Sequence, residues 1–201
     1  KESNTSKIKF GYKFGLEFLN SVHGRRFVAG LKNTITFGDY KIADIPNTCA
    51  SAIKAVKDLK LNYITIHISS GFNALRAAKK VSGKTKLIGV TILTSLDNKS
   101  LKEIGFNKDV KKVVFHQAKL ATKAKLDAIV CSPHEIKIVK RVFKKEIITP
   151  GIRLLGDNKG DQKRIMTPKE AFQNGATALV MGRSLTGNIK KNIQKLIKEL
   201  N

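Results

Sequence analysis

Short apolar runs rich in β-branched residues recur along the chain at positions 7–11, 34–38, 63–68, 87–91, 128–130, 146–149 and 178–181. Such brief, nearly continuous runs read as strands buried on both faces of a parallel sheet, because a half-exposed strand alternates apolar with polar positions. Between them the period changes to that of amphipathic helices. Residues 50–61 gather Ala50, Ile53, Ala55 and Leu61 near one face, and residues 188–200 gather Ile189, Ile193, Leu196 and Ile197 near another. Two segments carry helix starts, Ser132-Pro133-His134-Glu135 and Thr167-Pro168-Lys169-Glu170. Each sets a capping hydroxyl before a proline at the first helical position, where a missing N–H breaks no helical bond. Strands alternating with helices predict a parallel α/β fold.

The count of strands decides which one. Seven runs fall one short of the eight that close a (β/α)₈ barrel. The sequence opens on Lys1, and a polar stretch leads straight into the first run. The expectation is one domain over residues 1–201, a (β/α)₈ barrel lacking its first strand and shortened at the N-terminus. A seven-stranded doubly wound sheet fits the periodicity equally well.

Composition narrows the class. With 41% hydrophobic residues the chain can bury a sizeable core. No apolar run reaches the roughly 18–20 residues that a membrane span requires, and no segment has the layout of a secretory signal. Cys49 and Cys131 match no metal or redox spacing and read as free thiols of a reducing, cytoplasmic compartment. The formal charge of +24 prompts a search for nucleic-acid binding. Only seven of the 39 basic residues are arginine, the residue suited to bidentate contacts with phosphates and bases. The lysines are spread over helices, for example at Lys54, Lys57, Lys60, Lys111, Lys112, Lys190 and Lys191. No specific nucleic-acid partner is implied, and a solvated lysine-rich surface accounts for the charge.

The candidate chemistry lies in Phe37-Gly38-Asp39-Tyr40-Lys41-Ile42-Ala43-Asp44-Ile45-Pro46-Asn47-Thr48. Residues two apart on a strand point to the same face. Asp39 and Lys41 would therefore project together from a strand's C-terminal end, where barrel enzymes keep their chemistry. A structural ion pair at a strand end is the plainer alternative for Asp-x-Lys alone. His23, His67, His116 and His134 are scattered and read as structural or surface residues, and nothing resembles a metal cluster. No glycine-rich triphosphate loop is present.

The longer string resembles the signature of the orotidine 5′-phosphate decarboxylase family, and the resemblance continues in order along nearly all of the chain. Lys7-Ile8-Lys9-Phe10-Gly11 is similar to the strand carrying that family's first catalytic lysine, which assigns the part to Lys9. Val90-Thr91-Ile92-Leu93-Thr94-Ser95 resembles the segment that contacts the pyrimidine. Thr149-Pro150-Gly151-Ile152-Arg153 and Gly160-Asp161-Gln162-Lys163-Arg164 resemble the two ends of a phosphate-closing loop. Met181-Gly182-Arg183 resembles the last-strand phosphate site.

The resemblance implies cofactor-free decarboxylation of orotidine 5′-monophosphate to UMP, with no metal. It implies a catalytic array of Lys9, Asp39, Lys41 and Asp44, with Lys41 protonating pyrimidine C6. Ile45, Thr48, Thr94 and Pro150 would contact the base and ribose, and Arg153, Gln162, Gly182 and Arg183 would hold the phosphate. It further implies a homodimer in which Asp44 and Thr48 act in the partner's site. Barrel physics agrees on the phosphate, which such folds bind at the loops after the last two strands.

The sequence departs from the family's pattern in two places. The first-strand aspartate that holds the ribose is not found, and Gly38 stands where a larger apolar residue is usual. A magnesium-dependent phosphosugar enzyme of the same superfamily and a non-catalytic, polyanion-binding barrel remain as alternatives.

Overall fold

The computed structural model describes residues 8–157 and 165–200. Seven parallel strands form one sheet in chain order. They are β1 (Gly11–Phe14), β2 (Ile35–Ile42), β3 (Tyr63–His67), β4 (Lys86–Val90), β5 (Ala128–Val130), β6 (Glu146–Thr149) and β7 (Ala178–Leu179). Helices α1 (Leu16–Asn20), α2 (Gly24–Gly30), α3 (Pro46–Ala55), α4 (Gly71–Val81) and α5 (Asn98–Glu103) belong to the first half. The second half holds α6 (Val110–Lys123), α7 (Ile136–Lys140), α8 (Pro168–Asn174), α9 (Arg183–Thr186) and α10 (Ile189–Leu200).

Strictly sequential order shows that every crossover runs the same way, as in a barrel, and excludes the doubly wound alternative, which needs a reversal. One hydrogen bond measures the curl of the sheet. The Tyr63 hydroxyl on β3 donates to Glu146 on β6 at 2.9 Å, although these strands are three apart in the sheet. On a flat sheet they would stand about 14 Å apart. The interior follows by alternation: Phe37, Ile88, Ala128 and Ile148 meet in one apolar layer, with Tyr63, Val130, Ala178 and Val180 against it. Ile64, Ile66, Leu87, Ile129 and Ile147 point the other way, into a second core beneath the helices. Among the described residues β1 and β7 do not pair, so the sheet is open along that seam.

Local chemistry sets the helices. Asp109 caps α6 by accepting from the Lys112 N–H at 2.8 Å, and Val110, Val113, Val114, Ala118 and Ala121 form its buried stripe. Thr167 and Glu170 form a reciprocal capping box at α8, which ends at Gly175 with φ of +109°, a left-handed conformation suited to glycine. Ser132 does cap its segment, but the first turn there is 3₁₀ before α7 begins. The helix expected over residues 50–61 starts earlier, since Pro46 is suited to a first turn, and gives way to a 3₁₀ turn at Lys57–Leu59.

Gly38 marks a close approach. A Cβ there would lie 2.7 Å from Leu61 Cδ1 and 2.9 Å from the Tyr40 ring, so a larger residue requires those side chains to move.

β1 departs from expectation, lying at Gly11–Phe14 rather than over residues 7–11. Lys-Phe-Gly occurs twice, at residues 9–11 and 13–15, and an offset of four preserves the strand's alternation, so periodicity cannot separate the two copies. Packing does. Phe14 stacks on Phe18 at 5.3 Å and meets Phe27 edge-on at 6.2 Å, anchoring the second copy to α1 and α2.

The interior layer lies directly under the candidate site. Ile88→Ala should lower the free energy of unfolding by about 2–5 kcal/mol, read from urea midpoints. An unchanged midpoint would mean that this layer is not close-packed.

Candidate active site

A cavity of about 320 Å³ opens at the C-terminal ends of the strands, in the range of small-ligand sites. Its apolar lining includes Phe37, Val90, Ile92, Val130, Cys131 and Val180. The β1–β2 side contributes Lys13, Asp39 and Lys41, and the β6–β7 side contributes Pro150, Arg153, Gly182 and Arg183, while Thr94 follows β4.

Asp39 is the hub. It is only 7% exposed, and one carboxylate oxygen, Oδ2, accepts from Lys13 Nζ at 2.9 Å and from Lys41 Nζ at 2.8 Å. The other oxygen, Oδ1, accepts from the Thr65 hydroxyl at 3.1 Å. Burial alone would raise the Asp39 carboxyl, but the hydrogen bonds and charges of Lys41 and Lys13 outweigh it and hold the group below its ordinary 3.8. Burial also holds the His67 imidazole below its usual 6.5; the Lys41 charge adds to this, and Asp39 opposes it. The Cys131 thiol is pushed up by burial, so it forms an uncharged part of the wall.

The backbone of this corner is irregular. The β2–β3 register shifts between Gly38 and Ile42, and Lys41 has φ of +47°, a left-handed conformation uncommon for a residue with a side chain. Across this irregular stretch Lys41 Nζ meets Asp39 Oδ2 at 2.8 Å.

The sequence-derived candidates divide into three sets. Asp39, Lys41, Thr94, Pro150, Arg153, Gly182 and Arg183 all line the cavity. Asp44, Ile45 and Thr48 do not; they sit at the start of α3 and are exposed, and Asp44 accepts a hydrogen bond from the Ile45 N–H at 2.7 Å. Lys9 does not line it either: it precedes β1 and is exposed, and Lys13 is the lysine that meets Asp39, at 2.9 Å. The reason is register, since Lys13 pairs with Phe37, two residues before Asp39 on the same face of β2. Gln162 lies outside the described residues. Thr65, which bonds Asp39, has no signal in the sequence, and His67, on the same face of β3, reads there only as a structural or surface histidine; neither belongs to a motif beyond the alternation in Tyr63–His67. Among the described residues, no group of three His, Cys, Asp or Glu side chains could hold a metal ion, and no helix is long and apolar enough to cross a membrane.

An open parallel barrel sheet with a charged cavity at its strand C-termini, lysines on one side and arginines on the other, defines a (β/α)-barrel protein built to receive an anionic small molecule. The chain belongs to the Orotidine 5′-phosphate decarboxylase / HUMPS family, whose sequence profile matches residues 5–194. It is 44% identical to the orotidine 5′-phosphate decarboxylase of Wolbachia sp. subsp. Brugia malayi (strain TRS), over 97% of this chain and 89% of that protein. It is 43% identical to the enzyme of the same name from Prochlorococcus marinus (strain MIT 9215), over 90% and 80%. The crystal structure of orotidine 5′-phosphate decarboxylase from Lactobacillus acidophilus superposes with a TM-score of 0.80 at 30% identity, covering 94% of this chain and 86% of that one.

Because the folded Asp39 titrates below 3.8, its ion pairs add stability above that pH and lose it as pH falls through the lower folded value. Carbon-13 NMR of the Asp39 carboxyl should place its titration below 3.8, and Lys13→Ala should move it upward. A titration indifferent to Lys13 would show that the ion pair does not form in solution.

Proposed function

We propose that this chain decarboxylates orotidine 5′-monophosphate to UMP, the last step in making that pyrimidine nucleotide, without a cofactor. The observation that carries the reading is Asp39 bound between Lys13 and Lys41 in a cavity whose far side bears Arg153 and Arg183. Its relatives' names, at 43–44% identity, support the same substrate.

In this reading the bond from C6 to the carboxylate breaks and leaves its electron pair on C6 as CO₂ departs. The Lys41 ammonium then transfers a proton to C6, giving UMP, and Lys41 regains a proton from solvent. An ammonium about 4 Å from the developing carbanion contributes roughly 4 kcal/mol at an effective dielectric near 20, on the order of a thousandfold in rate. Asp39 faces the substrate carboxylate and raises its energy by like-charge repulsion, which eases loss of CO₂. Lys13 takes the part that the sequence assigned to Lys9, holding Asp39 from the β1 side. Both cations are in place before substrate arrives, so the stabilisation needs no reorganisation.

Arg153 and Arg183 take the phosphate, with the Gly182 backbone approaching it. Binding energy gathered there offsets the repulsion at the carboxylate. Thr94 and Pro150 contact the base. Asp44, Ile45 and Thr48 act from a second copy of the chain in a homodimer. Supporting this, they stand outside the cavity of a single chain, and Ile45 is 67% exposed beside a charged residue.

The test is loss of substrate absorbance in EDTA, which also separates this reading from a magnesium-dependent enzyme. Turnover is expected. It should fall by at least about a thousandfold in Lys41→Ala and in Lys13→Ala while persisting in Lys9→Ala. Loss in Lys9→Ala with retention in Lys13→Ala would reverse the assignment, and no turnover by the parent chain would overturn the proposed activity.

Shared sites give a separate outcome. Lys41→Ala and Asp44→Ala chains, each inactive alone, should regain partial activity when mixed. No recovery despite demonstrated subunit exchange would place Asp44 outside the partner's site.

A further inference from the structure

We propose that Thr65 is a positioning residue that fixes the Asp39 carboxylate and the Lys41 backbone relative to each other. This rests on the decarboxylase reading above for its kinetic consequence, though not for its geometry. Thr65 is wholly buried on β3, and it faces the barrel interior, since Tyr63 two residues before it packs on the Phe37 layer.

Its hydroxyl has one proton to give and lone pairs to accept with, and both capacities are used. Oγ1 accepts from the Lys41 backbone N–H at 2.8 Å and donates to Asp39 Oδ1 at 3.1 Å. The register shift between Gly38 and Ile42 takes this part of β2 out of the regular ladder with β3. A backbone N–H without its ladder partner needs another acceptor, and the Thr65 side chain supplies one from the strand that the ladder would have used. The positive φ of Lys41 is thereby tied to the neighbouring strand.

The same hydroxyl divides the work of the Asp39 carboxylate. Both ammonium groups converge on Oδ2, and Thr65 takes Oδ1, so the carboxylate plane is set from β1, β2 and β3 together. Without Thr65, Oδ1 would lose the hydroxyl donor that meets it, and the carboxylate would be held from the Oδ2 side alone. The charged groups around Asp39 are Lys13 from β1 and Lys41 from β2, with Arg153 and Arg183 across the cavity; the titratable His67 stands at the end of β3.

Thr65→Val keeps the shape and removes both hydrogen bonds, and Thr65→Ser keeps the hydroxyl. In the full chain, Thr65→Val should lower kcat for orotidine 5′-monophosphate about ten- to hundredfold. KM should change by less than about threefold, since the phosphate contacts are untouched. Thr65→Ser should retain most of the parent's turnover. Carbon-13 NMR should show the Asp39 titration moving upward in Thr65→Val and staying near the parent's in Thr65→Ser, because loss of a donor disfavours the carboxylate. Turnover in Thr65→Val within about twofold of the parent, or equal impairment of both variants, would overturn the proposal. A parent chain without turnover would defeat the decarboxylase reading instead, and the Asp39 titration would still decide for or against Thr65.

Discussion

A carboxylate held between two ammonium groups at the mouth of a barrel is the interaction on which the rest of this molecule depends. Removing Asp39 from water is unfavourable unless its charge is met, and here Lys13, Lys41 and the Thr65 hydroxyl meet it. Two ammonium groups face one carboxylate, so the cluster keeps a net positive charge. It sits in a cavity that also carries Arg153 and Arg183. Such a site attracts an anion with a charged group at each end and is poorly matched to a neutral ligand. Orotidine 5′-monophosphate carries a phosphate and a carboxylate, and it is the substrate that the family relationship favours.

The fold serves that cluster in two ways. Curling the sheet brings the loops after β6 and β7 across from β1 and β2, so Arg153, Arg183 and the lysine–aspartate cluster face one cavity although the strands are far apart in order. Close packing then fixes the floor: Phe37 lies two residues before Asp39 on the same face, within the layer that includes Ile88, Ala128 and Ile148. A rigid floor leaves the adjustable geometry to the last residues of β2. There the ladder shifts, Lys41 turns left-handed, and Thr65 reaches over from β3. Strain at such a position persists only where its neighbours enforce it.

The sequence carried the fold well because parallel strands buried on both faces leave short apolar runs, and those at 128–130 and 146–149 coincide with β5 and β6. It carried much of the candidate cavity too, since Asp39, Lys41, Arg153 and Arg183, which line it, belong to runs specific in both residue and spacing. Two features escaped it. The choice between Lys9 and Lys13 turns on register, which is a contact between strands and invisible to a pattern of period two. Thr65 acts through its hydroxyl, and nothing in Tyr63–His67 distinguishes a threonine that bonds a neighbouring strand from one that fills space. The most conspicuous number, a charge of +24, said least about the site, whose chemistry rests on a few placed groups.

The most direct measurement is a crystal structure with UMP bound, since the central claim is that one cavity holds phosphate on one side and places pyrimidine C6 at the lysine–aspartate cluster on the other. The account predicts the phosphate on Arg153 and Arg183, with C6 facing Lys41 Nζ and the Asp39 carboxylate. A phosphate seated on Lys13 and Lys41, with the base directed away from Asp39, would contradict it.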